Sequence, residues 1–145
     1  MNTAYLAALH SADQDVNPLF NFLGARMREA VDGKAVIELP VSMQLVQGGG
    51  VVAGGILATL ADEAMAHAVI SILEDGCRTT TTEMNIRFLR SVNPQHKGTL
   101  RGVAKVVKSG RSVITAEAAV YDETGRLVAT AGGSFFVMEE KPPRP

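Results

Sequence analysis

Residues 47–74 read QGGGVVAGGILATLADEAMAHAVISILE, a glycine-rich turn that runs straight into the one long helical pattern of the chain. Stepping about 100° per residue from Ile56, the side chains of Leu57, Leu60, Ala61, Ala64, Ala68 and Ile72 fall on one apolar stripe, as in a helix laid against a sheet. The helix is expected to reach Glu74-Asp75-Gly76, and the rest of the chain to supply the sheet. Asp62 lies well off that stripe. Its helical neighbours are Ala58, Thr59, Met65, Ala66 and Val69, with Leu73 further along the same side. A carboxylate in apolar company is costly unless it is paired, hydrogen-bonded or used in chemistry, so a satisfied structural acid and a functional acid are both open readings. Glu63, with His67 four residues on, reads as an ordinary pair on a wetter edge.

The glycines add a second signal. Gly48, Gly49, Gly50, Gly54 and Gly55 permit close backbone approach to a ligand. Gly54 and Gly55 also stand where the first helical N–H groups lack an internal partner, and this positive end favours an anion or a developing oxyanion.

A chain of 145 residues with 46% hydrophobic content suits one domain, 1–145, with a core over about 20–138 and a flexible tail at 139–145. Cys77 is the single cysteine, which excludes an intrachain disulfide and fits a reducing cytoplasm. Nothing beside it in sequence would activate a thiolate. The first residues lack a basic start followed by an apolar run, so no secretory signal is expected. Asp62, Glu63 and His67 interrupt the best apolar stretch, so no membrane span is expected either. A net charge of −1 hides an asymmetry: Met84 to Ala116 has no acidic residue but contains Arg87, Arg90, Lys97, Arg101, Lys105, Lys108 and Arg111. Such a zone is either a solvated strand face or a phosphate-binding surface. With only Phe88 interleaved, it fits a nucleotide-tailed small molecule better than nucleic acid.

In chain order, a short helix is expected over residues 2–12. A second follows Asn17-Pro18, is packed down by Leu19, Phe20, Phe22 and Leu23, and stops at Gly24. Ala25 to Val31 and Lys34 to Ser42 form a hairpin about Asp32-Gly33. After Gly76 a four-strand antiparallel meander is expected. It is marked by alternation at Met84, Ile86 and Phe88, by Leu100, Ala104 and Val106, and by the runs Val113 to Tyr121 and Leu127 to Val137. Turns fall at Asn93-Pro94, Ser109-Gly110 and Asp122-Glu123-Thr124-Gly125. The count is an α+β fold in which a single antiparallel sheet wraps one long central helix, leaving apolar surface for a second subunit.

Other motifs are out of context. Gly48-Gly49-Gly50-Val51-Val52-Ala53 fits a dinucleotide fingerprint, but no strand ends at its first glycine and no parallel crossover follows. No Walker lysine follows the glycines, no Gly-x-Ser-x-Gly turn exists, and His10, His67 and His96 are too scattered to suggest a metal.

Three stretches, AGGILATLADEAMAHA, TEMNIRFLRSV and GRSVITAEAAVYDETGRLVATAGGSFFV, resemble in order the hotdog-fold acyl-CoA thioesterases of the phenylacetic-acid-pathway and 4-hydroxybenzoyl-CoA types, over roughly residues 20–138. The resemblance implies a cytoplasmic homodimer or homotetramer that hydrolyses a small aryl or short- to medium-chain acyl-CoA. No cofactor is implied beyond the coenzyme A of the substrate. Gly54 would polarise the thioester carbonyl, Asp62 of another subunit would attack it or activate water, and Gln47 would help to place the carbonyl or the water. Substrate contacts would come from Gly55, Met65 and Val69, with Arg90, Lys97, Lys108 and Arg111 as candidates for the coenzyme phosphates. Ala53 departs from the pattern, since many relatives carry histidine there. An imidazole that only orients its neighbours is dispensable, whereas one that handles protons is not. The second alternative makes the protein a non-catalytic acyl-CoA binder, and a hotdog hydratase, which needs a histidine paired with an acid, is a third reading.

Overall fold

The computed structural model describes residues 2–11, 16–95 and 98–140. In chain order the elements are α1 (Asn2–Ala8), α2 (Pro18–Leu23), β1 (Arg26–Val31), β2 (Lys34–Pro40), a 3-10 turn (Met43–Leu45), α3 (Gly54–Ile70), β3 (Cys77–Phe88), β4 (Thr99–Ser109), β5 (Val113–Tyr121) and β6 (Leu127–Glu139). The strands form one antiparallel sheet in the order β1-β2-β4-β5-β6-β3, and α3 touches all six. This is the α+β hotdog arrangement expected from the sequence.

Local chemistry explains the element ends. Asp32 and Gly33 both take positive φ, 49° and 76°, which lets a two-residue turn match the twist of β1 and β2. Asn17 caps α2 by accepting from the Phe20 N–H at 3.2 Å, and Gly24 closes it in the left-handed region at φ 72°. Of the four side chains expected to pack α2 down, Phe20 is buried and Leu23 partly so, while Leu19 and Phe22 face outward. A helix of six residues has a single inward side.

The core begins earlier than residue 20. Leu9 is buried, and the Asn2 amide donates to the carbonyls of Glu74 and Cys77, both at 3.0 Å. These bonds tie α1 to the turn between α3 and β3, because α3 stops at Ile70, four residues short of its expected end. Ile72, placed on the apolar stripe by periodicity, is accordingly half-exposed. α1 itself ends at Ala8, and residue 12 lies outside the described residues. At the other terminus β6 runs to Glu139, and Glu140 N–H donates to the Gly76 carbonyl at 2.7 Å, so only 141–145 of the expected tail lie outside the described residues.

The four-strand meander needs correction. β4, β5 and β6 do follow one another, but β3 sits beyond β6 at the far edge, in register from Cys77↔Glu139 to Phe88↔Ala129. β4 pairs instead with β2, from Lys34↔Lys105 to Pro40↔Thr99. The helical crossover carries the chain across the concave face before β3 begins, and alternation within a strand says nothing about its neighbour.

Leu57, Leu60, Ala61, Ala64, Met65, Ala68 and Val69 bury one broad side of α3 against Ile37, Leu39, Leu100, Val120, Val128 and Phe135. The alanines let the helix lie close to the strands. Closest is Gly102 of β4, where an added Cβ would stand 3.0 Å from Leu60 Cγ and 3.1 Å from the Leu60 carbonyl oxygen. Gly102→Ala should therefore destabilise by about 1–3 kcal/mol through overpacking, seen as a lower urea midpoint at unchanged slope.

Candidate active site

The start of α3 is held by the turn before it. Gln47 N–H donates to the Val51 carbonyl and Gly50 N–H to the Gln47 carbonyl, both at 2.9 Å, with Gly50 at φ 85°. The Gln47 side-chain oxygen accepts from Gly49 N–H, so this exposed amide is engaged within its own turn. Val52 N–H donates to the Val92 carbonyl at 3.0 Å, tying the turn to the segment after β3. Ala53 is the N-cap and offers no side-chain acceptor. Among the described residues, the N–H groups of Gly54 and Gly55 have no protein acceptor. A serine or aspartate at 53 would have turned such donors inward, so alanine leaves the positive end of the helix addressable. Beside it lies the half-exposed ring of Phe88, 3.2 Å from where a Cβ on residue 54 would stand. Glycine makes room for that ring.

Asp62 projects from the side of α3 that the sheet does not cover. Ala58, Thr59 and Ala66 around it are only partly buried, and the Thr81 hydroxyl donates to Asp62 Oδ1 at 2.8 Å. A carboxylate fixed by one hydroxyl retains acceptor capacity on its other oxygen. Thr81 went unrecognised in the sequence, where it is one of four successive threonines, 79–82. Strand alternation turns Thr79 and Thr81 inward and Thr80 and Thr82 outward, and the register shift after Thr81 lets Thr82 donate to the Ser134 carbonyl at 3.1 Å. Met65 and Val69, expected to contact substrate, have no solvent exposure within the protomer. Met65 Cε packs against Gly133, at 3.3 Å from the position of an added Cβ.

Glu63 and His67 are not an ordinary surface pair. His67 is buried, between the rings of Tyr5 and Phe20 at 5.7 and 5.1 Å. Its Nδ1–H donates to the Glu63 carbonyl oxygen at 2.6 Å, and its Nε2 accepts from the Tyr5 hydroxyl at 3.0 Å. The Glu63 carboxylate stands farther off, 3.7 Å from Nδ1. Burial lowers the proton affinity of His67, which suits a neutral ring with both nitrogens engaged. Burial, and after it the Asp62 charge, push Glu63 up to about 7, against a smaller opposing effect of a hydrogen bond from Asn17. The edge expected to be wet is dry because α1 and the start of α2 cover it.

The basic zone disperses in space. Arg90, just past β3, donates its N–H to the Val128 carbonyl at 3.2 Å, at the same end of the sheet as the start of α3. Lys108 and Arg111 lie at the opposite end, around the β4–β5 turn. Lys97 lies outside the described residues. Lys105 pairs with Glu117 at 3.1 Å, and Arg101 stands opposite Glu38, so a segment acid-free in sequence meets acids across the strands. Among the described residues no group of three or more His, Cys, Asp or Glu is placed to hold a metal ion, and no helix is long and apolar enough to cross a membrane.

Residues 49–129 match the family model described as the thioesterase superfamily. The proofreading thioesterase EntH of Klebsiella pneumoniae is 31% identical over 125 residues, covering 86% of this chain and 88% of its own. A thioesterase family protein from Silicibacter pomeroyi superposes with a TM-score of 0.82 at 26% identity, over 93% of this chain and 98% of that one. The PaaI protein of the Escherichia coli phenylacetic acid degradation operon gives 0.79 at 23% identity, over 94% and 93% of the two chains, a likeness of fold.

The Glu63 environment has a thermodynamic signature. With its carboxyl raised from an ordinary 4.5 to about 7, the folded state holds a proton through an interval in which the unfolded state has lost it. The stabilising contribution is complete below pH 4.5 and lost as pH rises through about 7, a change of up to about 3 kcal/mol. Glu63→Gln should remove that slope, so that urea midpoints of variant and wild type, compared from pH 5 to pH 8, diverge in favour of the variant as pH rises.

Proposed function

The chain belongs to the thioesterase superfamily and is a thioester hydrolase, and we propose that its substrates are acyl-CoA thioesters with a small aryl or a short- to medium-chain acyl group. The observation that carries this reading is the pairing on one helix of two open N–H groups at an uncapped start with a carboxylate steadied by Thr81 on the uncovered side. The N–H groups suit the oxyanion that forms when a thioester carbonyl is attacked. The carboxylate suits a base or a nucleophile.

One protomer does not bring them together. Gly54 and Asp62 are eight residues apart on the same helix, a rise of about 12 Å, too far for both to act on one carbonyl. Two helices side by side and antiparallel place Gly54 of one copy next to Asp62 of the other, twice by symmetry. β3 supplies a means. It is a long edge strand whose outer side has no strand partner among the described residues, and pairing it with a second β3 would satisfy its backbone and draw the two α3 helices together. A homodimer is thus the catalytic unit, alone or within a homotetramer.

In the direct form of the reaction, water adds to the carbonyl carbon as Asp62 takes its proton, and the oxygen gains charge against Gly54 N–H. Collapse breaks the carbon–sulfur bond, and the departing thiolate of coenzyme A recovers the proton, leaving the free acid. If Asp62 itself attacks, an anhydride forms and water then cleaves it, with the same products. No further cofactor enters. The acyl group would lie along Ala58, Thr59 and Ala66, small side chains that leave room for it, with Met65 and Val69 as backing beneath. Arg90, at the helix-start end, is the best placed of the basic candidates for a coenzyme phosphate. A cytoplasmic location fits a coenzyme A substrate.

Thiol release from a panel of aryl, short, medium and long acyl-CoAs tests the substrate class. Turnover by the wild type, reduced roughly a hundredfold or more in Asp62→Asn, is the expected result. Saturable binding without release from any of them by the wild type would contradict it. Sedimentation should show a dimer or larger species, and a concentration-independent monomer would contradict the shared site.

A further inference from the structure

The helix start used in the proposed hydrolysis has an aromatic neighbour with no part in it so far. Phe88 ends β3 on the strand side that Met84 and Ile86 turn to the core, yet its ring is half-exposed. Backbone bonds hold the chain beyond it. The N–H groups of Leu89 and Arg90 both donate to the Val128 carbonyl, at 2.8 and 3.2 Å, and further on the Val92 carbonyl takes the Val52 N–H at 3.0 Å. An added Cβ on Gly54 would stand 3.2 Å from Phe88 Cζ, 3.3 Å from Cε1 and 3.6 Å from Cε2, so the rim of the ring rather than its face is turned to the glycine. Cα–Cβ bonds in a helix lean towards its N-terminus, the direction in which the open N–H groups point. The ring therefore stands ahead of the helix start, on the side where an oxyanion would be received. A Cβ lies about 2.5 Å from its own nitrogen, which places the nearest ring carbon within about 6 Å of the Gly54 nitrogen. Beside Gly55 the space is open, with nothing among the described residues within 4 Å of an added Cβ.

We propose that Phe88 is a positioning residue that acts through the N–H groups of Gly54 and Gly55: its ring walls off one side of the helix start from bulk water and leaves the Gly55 side as the way in for the thioester carbonyl. The inference rests on the acyl-CoA reading. An N–H group at an open helix end is hydrated, and its bond to mobile water competes with the bond to a developing oxyanion. An apolar wall reduces that competition and lowers the local dielectric, which strengthens a fixed donor at the moment charge forms. The rim of an aromatic ring is positively polarised and its faces are negative, so this orientation shields the donors without opposing the charge they receive. The other use for a half-exposed ring on an edge strand is contact between subunits.

The test is kcat and KM for the wild type, Phe88→Ala and Phe88→Leu on the acyl-CoA that the wild type turns over fastest, with sedimentation of each protein. Removing an oxyanion donor costs about a hundredfold or more in kcat, and wetting one forfeits part of that, so Phe88→Ala should lose about tenfold in kcat at little-changed KM. Phe88→Leu restores an apolar wall and should keep kcat within about threefold of the wild type. All three proteins should have the same oligomeric state. An unchanged kcat in Phe88→Ala, a loss confined to KM, a Phe88→Leu as slow as Phe88→Ala, or a loss that follows dissociation of the subunits would each overturn this role and leave the acyl-CoA reading standing. Absence of wild-type turnover with every acyl-CoA overturns that reading and this role with it. A readout free of turnover is hydrogen exchange at the Gly54 amide, followed by NMR. Exchange should be several times faster in Phe88→Ala than in the wild type and Phe88→Leu, and equal rates in all three overturn the shield.

Discussion

Burial of one side of α3 in the hollow of a curled sheet is the constraint on which the rest of the structure depends. The helix can lie so close to the strands because Ala61, Ala64 and Ala68 are small and because Gly102 leaves a notch for Leu60. Contact with all six strands uses up the apolar side completely and leaves the opposite side to other partners. That opposite side carries Asp62, and the end that emerges at the glycine turn carries the open N–H groups. The features that suit catalysis are those the packing leaves unsatisfied.

Two neighbouring acids on this helix meet different fates through what covers them. Asp62 faces outward and takes a hydroxyl from the edge strand β3. Glu63, one position round the helix, lies beneath the N-terminal segment, 3.7 Å from a buried histidine whose other nitrogen is held by Tyr5, itself held by Asn17. Desolvation therefore acts on an acid that the proposed hydrolysis does not use.

Much of this was legible in the sequence. Asp32-Gly33, Asn17-Pro18 and Gly24 act locally, through φ preferences and capping, and each ends its element where local chemistry places it. The strand runs and the helix stripe follow from periodicity, and three ordered matches led to the hotdog family. What escaped was set by contacts distant in the chain. Strand periodicity does not encode that β3 lies beside β6, and the burial of Leu9 and His67 depends on where α1 folds back. The charge run from Arg87 to Arg111 looked acid-free because Glu38 and Glu117 reach it only across strands. Thr81 is one threonine among four until the fold places it against Asp62. Gly54 and Asp62 stand out by residue type and position, and Gln47 by the resemblance alone.

The central claim is that each site takes its oxyanion donor from one copy and its carboxylate from another. Gly54 occupies the first helical position, where proline is tolerated but brings no N–H, so Gly54→Pro removes the donor and leaves the helix start in place once the half-exposed Phe88 ring, 3.2 Å from the added Cβ, gives way by a few tenths of an ångström. The measurement is thiol release by Gly54→Pro, by Asp62→Asn, and by the two unfolded, mixed in equal amounts and refolded together. Each variant alone should be nearly inactive, and the mixture should recover about a quarter of wild-type turnover, since half of the dimers are hybrids with one intact site in two. A mixture no more active than its components, in protein shown to have exchanged subunits, would contradict the shared site.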